Sequence, residues 1–257
     1  MYKQLLLKEK VEKGSKTAKG GFDNEKDVIL RFNDWQEDIL AQNSLVTMGY
    51  NLKEIEKVLA QKVAHGEKTD VQVLVTVFLK GLDKGQNISV KLVSNKTGFN
   101  QIERGWVKKY SELWDIPPKI SELLELFVGC KKPYITNSRD PRRTFLDEFS
   151  KQEQDLFVKF FEENRILILS DIIKGRGPFA AEWMLVVQKF KDTIKWNLKP
   201  INKVLNIFNQ GKVEITKLGS LKIGKVGLQR KGGDGGRDSA NQMQFKIDPM
   251  EITKLNT

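Results

Sequence analysis

One acidic and one basic side chain lie at positions suited to chemistry on a phosphate, in a β-hairpin predicted over residues 68–96. Asp70 opens the first strand, and Lys91 lies inside the second strand, two residues beyond Ser89 and on the same face. Phosphodiester hydrolysis requires a cation that neutralises the scissile phosphate and a positive group that orients the attacking water. Because Asp70 is suited to bind the cation and Lys91 to orient the water, the pair predicts a metal-dependent phosphodiesterase.

The ligands of that cation must be oxygen atoms. The chain has one cysteine and one histidine, which excludes a zinc site built on cysteines. A metal site built on several histidines is also nearly excluded. Mg²⁺ is therefore the expected metal. The carbonyl of Val90 and the carboxylate of Glu25, in the first predicted helix, are further candidate ligands, whereas the hydroxyl of Ser89 supplies no charge. In the alternative, structural interpretation, Asp70 caps its strand, Lys91 reaches solvent, and Glu25 favours the helix dipole.

Hydrophobic periodicity predicts the elements that position these residues. Apolar residues recur with period two in both strands of the hairpin, at 71, 73, 75, 77 and 79 and then at 88, 90 and 92, with a break at 80–86. Before the hairpin, a helix is predicted from Asp23, with an apolar stripe at Val28, Phe32, Trp35 and Ile39. A second helix is predicted over residues 52–60.

The remainder of the chain mixes helical and strand patterns. Helices are predicted over about a dozen residues ending near Trp114 and over residues 120–128, 145–163 and 201–208. Strands are predicted over residues 181–190, 213–215, 220–226 and 242–247.

The net charge of +11 predicts attraction to a polyanion, with nucleic acid ahead of an anionic membrane surface. A lysine-rich solvated surface is the alternative explanation of that charge. No apolar run approaches the roughly 20 residues that span a bilayer, and no signal peptide is recognisable, so a soluble, cytoplasmic protein is expected. The glycine-rich run at 175–180 lacks the lysine and hydroxyl of a phosphate-binding loop, which argues against a nucleotide site.

Two polar segments are suited to contact DNA. The segment 230–247 combines four glycines with basic and amide side chains, and guanine or adenine edges accept such partners. Its candidate DNA-binding residues are Arg230, Lys231, Arg237, Ser239, Asn241, Gln244 and Lys246. The segment that follows the second hairpin strand adds Lys96, Asn100, Gln101 and Arg104. A flexible glycine-rich surface loop is the alternative for the C-terminal segment.

Several longer runs match one nuclease family, at residues 14–19, 24–27, 45–52, 90–96, 98–102, 175–183, 229–234 and 239–249. On these runs the chain resembles the small type II restriction endonucleases of the PD-(D/E)XK superfamily that cut short palindromes of G and C. Within that group it is most similar to the enzyme specific for GCGC. The resemblance covers nearly the whole chain from residue 14 onwards.

The resemblance implies a metal-binding aspartate at Asp70, a catalytic lysine at Lys91 and magnesium as cofactor. It also implies hydrolysis of each strand of double-stranded DNA to a 5′-phosphate and a 3′-hydroxyl. Close relatives carry glutamine or asparagine where this chain has Ser89, a departure that bears on metal affinity and rate. The protomer is expected to hold a single active site and to act as a monomer or a loose dimer.

The resemblance also assigns base recognition and biological context. It places base contacts on Asn100, Gln101, Arg104, Ser239, Ala240, Asn241, Gln244 and Lys246, and it favours GCGC, with CCGG as the alternative site. A cognate DNA methyltransferase is expected in the same cell, although not as a binding partner.

The expected fold class is α+β: a mixed β-sheet nuclease core flanked by helices, with a β-rich C-terminal DNA-recognition region. The expected domains are an N-terminal tail at 1–21, a catalytic core at 22–115 and a recognition region at 116–257, packed on the core or merged with it. Two other functions stay open: a sequence-specific DNA-binding protein with a weakened nuclease site, and a structure-selective DNA nuclease.

Overall fold

The computed structural model describes residues 19–63, 72–94, 98–134, 138–191, 193–233 and 237–254, so most of the predicted N-terminal tail lies outside it. The chain folds into two compact units. Within the described residues, the hairpin unit comprises residues 19–100, 173–207 and 248–254, and the C-terminal-sheet unit comprises residues 101–172 and 208–247. The predicted functional division at residue 115 stays a prediction.

Helices and strands are numbered in chain order. The helices are α1 (residues 19–33), α2 (Ile39–Thr47), α3 (Val107–Leu113), α4 (Pro118–Val128), α5 (Lys151–Glu163), α6 (Arg165–Ile173) and α7 (Ile201–Phe208). The strands are β1 (Ile55–Lys62), β2 (Gln72–Leu79), β3 (Leu82–Val93), β4 (Asn100–Gly105), β5 (Trp183–Phe190), β6 (Thr193–Pro200), β7 (Val213–Ile215), β8 (Leu221–Ile223), β9 (Val226–Arg230) and β10 (Met243–Ile247). None of the helices described here has the length and hydropathy that crossing a membrane requires.

The hairpin unit is built on a mixed five-stranded sheet in the order β1-β2-β3-β5-β6. β3 lies in its centre, antiparallel to β2, with Gln72 opposite Ser89, and parallel to β5, with Lys91 opposite Val186. The predicted hairpin and the predicted α+β class are therefore confirmed.

One face of this sheet is the core of the unit. Val73 and Val90 pack in a buried cluster with Val28 and Phe32 of α1. The Phe32 ring also contacts Trp196 of β6 at 5.5 Å between centroids. Because side chains alternate along a strand, Ser89 and Lys91 lie on the other face of β3.

The turn of the hairpin is tighter than predicted. The sequence indicated a break over residues 80–86, but β3 begins at Leu82, which pairs with Leu79. Lys80 and Gly81 alone connect the strands, and Gly81 has a φ of 74°. Two-residue hairpin turns require positive φ, which glycine adopts without a steric penalty. The polar residues that suggested a loop thus form the exposed start of β3.

The predicted helix over residues 52–60 is wrong. Leu52, Ile55 and Leu59 have helical spacing, but the chain from Ile55 forms β1 and pairs with β2. Ala60 is buried and Leu59 is 39% exposed in this strand. Pairing with a neighbouring strand decided the conformation, as tertiary contacts often override local propensity.

The first predicted helix needs two corrections. It covers residues 19–33, so Asp23 lies inside it and does not cap it. Ile39 belongs to α2 and is 64% exposed, so the predicted stripe does not extend to it. Val28 and Phe32 are fully buried in α1, which confirms that part of the stripe, whereas Trp35 is buried in the turn after the helix.

The C-terminal-sheet unit contains a five-stranded sheet in the order β4-β10-β9-β8-β7, in which the strands from β10 to β7 pair antiparallel. Its apolar face is anchored by Phe245, whose ring lies 5.6 Å from Tyr110 and 5.9 Å from Trp114, centroid to centroid. The strands predicted over residues 213–215 and 242–247 and the helices predicted over residues 120–128 and 201–208 are confirmed. The single strand predicted over residues 220–226 is instead divided by a turn into β8 and the start of β9. The helix predicted from residue 145 begins only at residue 151, and the sequence patterns did not predict α2, α6 or β6.

The helix predicted to end near Trp114 is half wrong. Its first half forms β4, and only Val107–Leu113 is helical. A Cβ at Gly105 would lie 3.1 Å from the Tyr110 ring, so glycine allows the chain to turn tightly from strand into helix. Asn100, Gln101 and Arg104 therefore belong to a strand.

Phe32→Ala tests the packing of α1 on the sheet. Removing this buried ring should lower the free energy of unfolding by about 3–5 kcal/mol, because a cavity replaces it. Urea denaturation gives the value. Leu30→Ala, on the same helix at 67% exposure, should change it little. Equal losses for the two variants would contradict the packing of α1 described above.

Candidate active site and nucleic-acid interface

The central strand of the hairpin unit buries two of the predicted catalytic residues side by side. Ser89 is fully buried and Lys91 is 5% exposed, both on the face opposite the apolar cluster. Val90, between them, is 7% exposed and belongs to that cluster. The Oγ atom of Ser89 is buried and has no hydrogen-bond partner among the residues described. Asp70 and Lys96 lie outside the described residues.

Glu25 is buried on α1, as a functional carboxylate would be. Its described ion pair, however, is with a lysine that was not predicted to belong to the site. Its Oε2 atom lies 3.6 Å from Nζ of Lys62 at the end of β1. Glu25 shares the helix stripe of Val28 and Phe32, so it approaches the sheet from the apolar side. The described contact thus ties Glu25 to the edge strand, and its catalytic role stays a prediction.

The described oxygen donors fit a hard cation only in part. No group of three or more histidine, cysteine, aspartate or glutamate residues is assembled within the described ranges. Magnesium binding requires carboxylate, carbonyl or water oxygens, so the negative charge at such a site would come from the two predicted carboxylates, Asp70 and Glu25. The buried Ser89 hydroxyl, which lacks a protein partner among the described residues, is compatible with a neutral ligand or an anchor for a metal-bound water.

A cavity of about 520 Å³ opens on the hairpin unit. Its walls come from the hairpin and from the glycine-rich run after α6, and they are Leu74, Gly85, Asn87, Lys174, Pro178, Phe179, Ala180 and Glu182. The backbone N–H of Asn87 donates to Glu182 at 2.9 Å, which fixes the two walls together. Asn87 is two residues before Ser89, so alternation puts it on the Ser89 face. The glycine-rich run therefore borders that face.

Three glutamine side chains join the strands of the C-terminal sheet. Gln229 on β9 donates from Nε2 to Oε1 of Gln244 on β10 at 3.1 Å. Gln244 donates from Nε2 to Oε1 of Gln101 on β4 at 2.6 Å. Gln244 is 8% exposed, whereas Gln101 and Gln229 are half-buried. Two predicted DNA-binding residues are thus brought together, through a residue that sequence reasoning did not select.

The segment after β9 is held by Arg230. Its Nε donates to the carbonyl of Val128 at 2.8 Å, and its Nη2 donates to Oδ1 of Asn241 at 2.7 Å. Burial lowers the pKa of Arg230, and the neighbouring Arg142 lowers it further. Because these bonds use part of the guanidinium, Arg230 orients the segment as well as adding charge.

The remaining predicted contacts differ in their access to a ligand. Ala240 is 3% exposed, so its side chain is packed inside, and its carbonyl accepts from the N–H of Gly232 at 3.0 Å. Arg237 is exposed, and the others are half-buried: Asn100, Arg104, Lys231, Ser239, Asn241 and Lys246.

Lys246 lies on β10 two residues beyond Gln244, on the same face. Burial alone lowers the pKa of its ammonium, and the described residues place no carboxylate or hydrogen-bond acceptor against it. A partly desolvated cation of this kind binds an anion or a base acceptor more strongly than a fully hydrated one.

Comparison with solved structures identifies the class of fold. The chain is similar to the restriction endonuclease MspI in complex with its cognate DNA, with a TM-score of 0.54, 16% sequence identity, and coverage of 80% of this chain and 76% of that chain. At this identity the similarity shows a shared fold, which confirms the predicted α+β nuclease core. Comparison with curated protein sequences gave no match.

The family follows from the sequence itself. The family model described as R.HinP1I restriction endonuclease matches residues 48–253, which include β3, β4 and β10. The chain therefore belongs to the R.HinP1I restriction endonuclease family. Its class is that of the type II site-specific deoxyribonucleases, as predicted.

Ser89→Ala tests whether the buried hydroxyl is kept at a cost to stability. An unsatisfied buried polar group destabilises a protein, so its removal should raise the free energy of unfolding by about 1 kcal/mol. Thermal melting without metal or DNA should then shift upwards by about 2–4 °C. Ser44→Ala is the matched control, because Ser44 is 4% exposed but its Oγ donates to Leu40. Destabilisation of equal size in both variants would argue against an unpartnered Ser89.

Lys246→Met tests the buried cation in the free protein. A lowered folded-state pKa means that the cost of burying the charge is full below that pKa and is relieved as pH rises towards the ordinary lysine value. The variant should therefore be slightly more stable than the parent protein at neutral pH, and the difference should shrink in alkaline buffer. Denaturation midpoints across this pH range measure the effect. A gap that widens with pH would contradict the assignment.

Proposed function

We propose that the chain hydrolyses both strands of double-stranded DNA at GCGC in the presence of Mg²⁺, leaving 5′-phosphate and 3′-hydroxyl ends. The observation that carries the proposal is the burial of Lys91, 5% exposed in the central strand beside Ser89. A lysine that is held inside a central strand, on the Ser89 face, presents its charge from a fixed position. That position suits contact with the two anions of such a reaction, the scissile phosphate and a metal-binding carboxylate.

Chain connectivity supports Asp70 as that carboxylate. Asp70 lies outside the described residues, but it is only two positions before Gln72, which pairs with Ser89. Two residues span at most about 7 Å. This short connection supports Asp70 as the carboxylate that acts together with Ser89 and Lys91.

The oxygens proposed to hold Mg²⁺ are the Asp70 carboxylate, the Val90 carbonyl and the Ser89 hydroxyl or a water bound to it. Bound there, the ion would neutralise the scissile phosphate and lower the pKa of a coordinated water. The Lys91 ammonium would donate to a phosphoryl oxygen and to the attacking water, which aligns the water and stabilises the added negative charge. Ser89 is neutral, so the site carries less negative charge than one with an acid there.

The GCGC site is proposed from the recognition residues. Guanine offers O6 and N7 as acceptors in the major groove, and Lys246 and the amide of Gln101 can donate to them. The half-buried Lys246 has the lowered pKa of a desolvated cation, which suits a specific contact better than a solvated surface charge. Replacement of Lys246 should reduce discrimination among sites by about 1–3 kcal/mol.

Plasmid digestion with magnesium tests the catalytic pair. Lys91→Met and Asp70→Asn should each slow cleavage by at least about 100-fold, because each removes a group that acts on the reacting phosphate or water. Lys84→Met and Asp83→Asn make the same chemical changes at exposed positions of β3 and should leave the rate close to that of the parent protein. Sequencing the cut ends identifies the site and the end chemistry together.

The outcomes separate this proposal from its competitors. Undiminished cutting by either catalytic variant would refute the assignment of the pair. Specific binding to a short palindrome, without cleavage in magnesium or manganese, would indicate a DNA-binding protein whose nuclease site is weakened. Preference for branched over linear DNA would indicate a structure-selective nuclease.

A further inference from the structure

The glutamines at 101, 244 and 229 form a continuous chain of side-chain amides across three adjacent strands. The two hydrogen bonds, of 3.1 and 2.6 Å, run in one direction: Gln229 donates to Gln244, and Gln244 donates to Gln101. The middle amide is 8% exposed and both outer ones are half-buried. The row of three glutamines therefore has a shielded central amide and two partly accessible outer amides.

The three glutamines donate their hydrogen bonds in one direction along the row, so the direction is a property that all three share. Each amide offers a carbonyl acceptor at one end and an NH₂ donor at the other. Rotating one amide by half a turn would face donor to donor or acceptor to acceptor, so all three must turn together. In the observed direction, Gln101 keeps its NH₂ group available outside the chain, and Gln229 keeps its carbonyl oxygen available.

We propose that Gln229 is a positioning residue for base recognition, acting through Gln244 to hold the NH₂ group of Gln101 towards the base. The ligand of that group is an acceptor edge, such as O6 or N7 of guanine. The proposal rests on the proposed function, because it assumes that Gln101 reads a base. It also assigns Gln244 a different role: its amide already donates once and accepts once within the protein, which suits a relay better than a direct reader.

The direction of these hydrogen bonds matters for base recognition, because an isolated amide can present either its donor or its acceptor to a base. At a G·C pair, guanine presents acceptors and cytosine presents its N4 donor in the major groove. A glutamine free to rotate satisfies either base, whereas one fixed by its neighbour satisfies only one. Gln229 lies one strand beyond Gln244, with no assigned contact to DNA, so its effect on recognition would be indirect.

Gln229→Glu reverses the chain without changing its shape. A carboxylate accepts but does not donate, so Gln244 must turn its NH₂ group to residue 229 and its carbonyl to Gln101. Gln101 must then donate to Gln244 and present its own carbonyl to the base. At the base pair that Gln101 contacts, the preference should shift by about 10-fold or more from an acceptor towards a donor such as cytosine N4.

Cleavage of a DNA library with a randomised site, read by sequencing, measures this preference position by position. Gln229→Met removes the donor without adding charge and should lower discrimination at the same position only, by about 10-fold. Gln210→Glu, an exposed change of the same charge in the same unit, should leave the preference of the parent protein unchanged.

The results distinguish the two proposals. A parent protein that cuts without sequence preference would refute the proposed function itself. A selective parent protein whose profile is retained in Gln229→Glu and Gln229→Met, at any overall rate, would overturn the relay. A uniform loss of rate with an unchanged profile is what a merely structural Gln229 would give, and it also overturns the proposal. A change confined to one base pair in both variants supports it.

Discussion

The pairing of β3 on both of its edges is the constraint on which the candidate active site depends. The strand is locked between β2 and β5, and one of its faces is sealed by Val90 and the residues of α1. A slip of one residue would move Lys91 into that apolar cluster. The cost of burying an unpaired ammonium there is several kcal/mol. Correct register of the sheet and correct placement of the lysine are therefore the same requirement.

The C-terminal sheet positions the candidate recognition residues by the same principle. Phe245 and Ile247 are fully buried on one face of β10, and Phe245 packs against Tyr110 of α3. Alternation then puts Gln244 and Lys246 together on the other face. In both units, packing of the apolar face fixes the position of the strand. The polar side chains on the other face are therefore held in place by the strand and not by contacts among themselves alone. This arrangement buries polar groups, and at Lys246 the burial lowers the pKa of the ammonium.

The sequence predicted the parts of the fold where local pattern and tertiary contacts agree. Period-two valines predicted β2 and β3 because both strands bury one face in the core. The pattern failed at β1, where Leu52, Ile55 and Leu59 have helical spacing but pairing with β2 determines a strand. For the candidate site, residue type and spacing selected Lys91 and Gln101, whose roles stay predictions. They could not identify Gln229, because its significance is a hydrogen bond to a residue 15 positions away.

A site made only of G and C imposes a particular demand on side-chain amides. Positive charge alone separates guanine from cytosine, since lysine and arginine only donate. Glutamine both donates and accepts, so it adds discrimination only where its orientation is imposed. The contact between Gln244 and Gln101 couples the orientations of these two amides, and the pairing of β9 with β10 sets Gln229 opposite Gln244, from where it would set the shared direction. Sequence specificity would thus depend on strand register in the C-terminal sheet, just as the proposed catalysis would depend on strand register at β3.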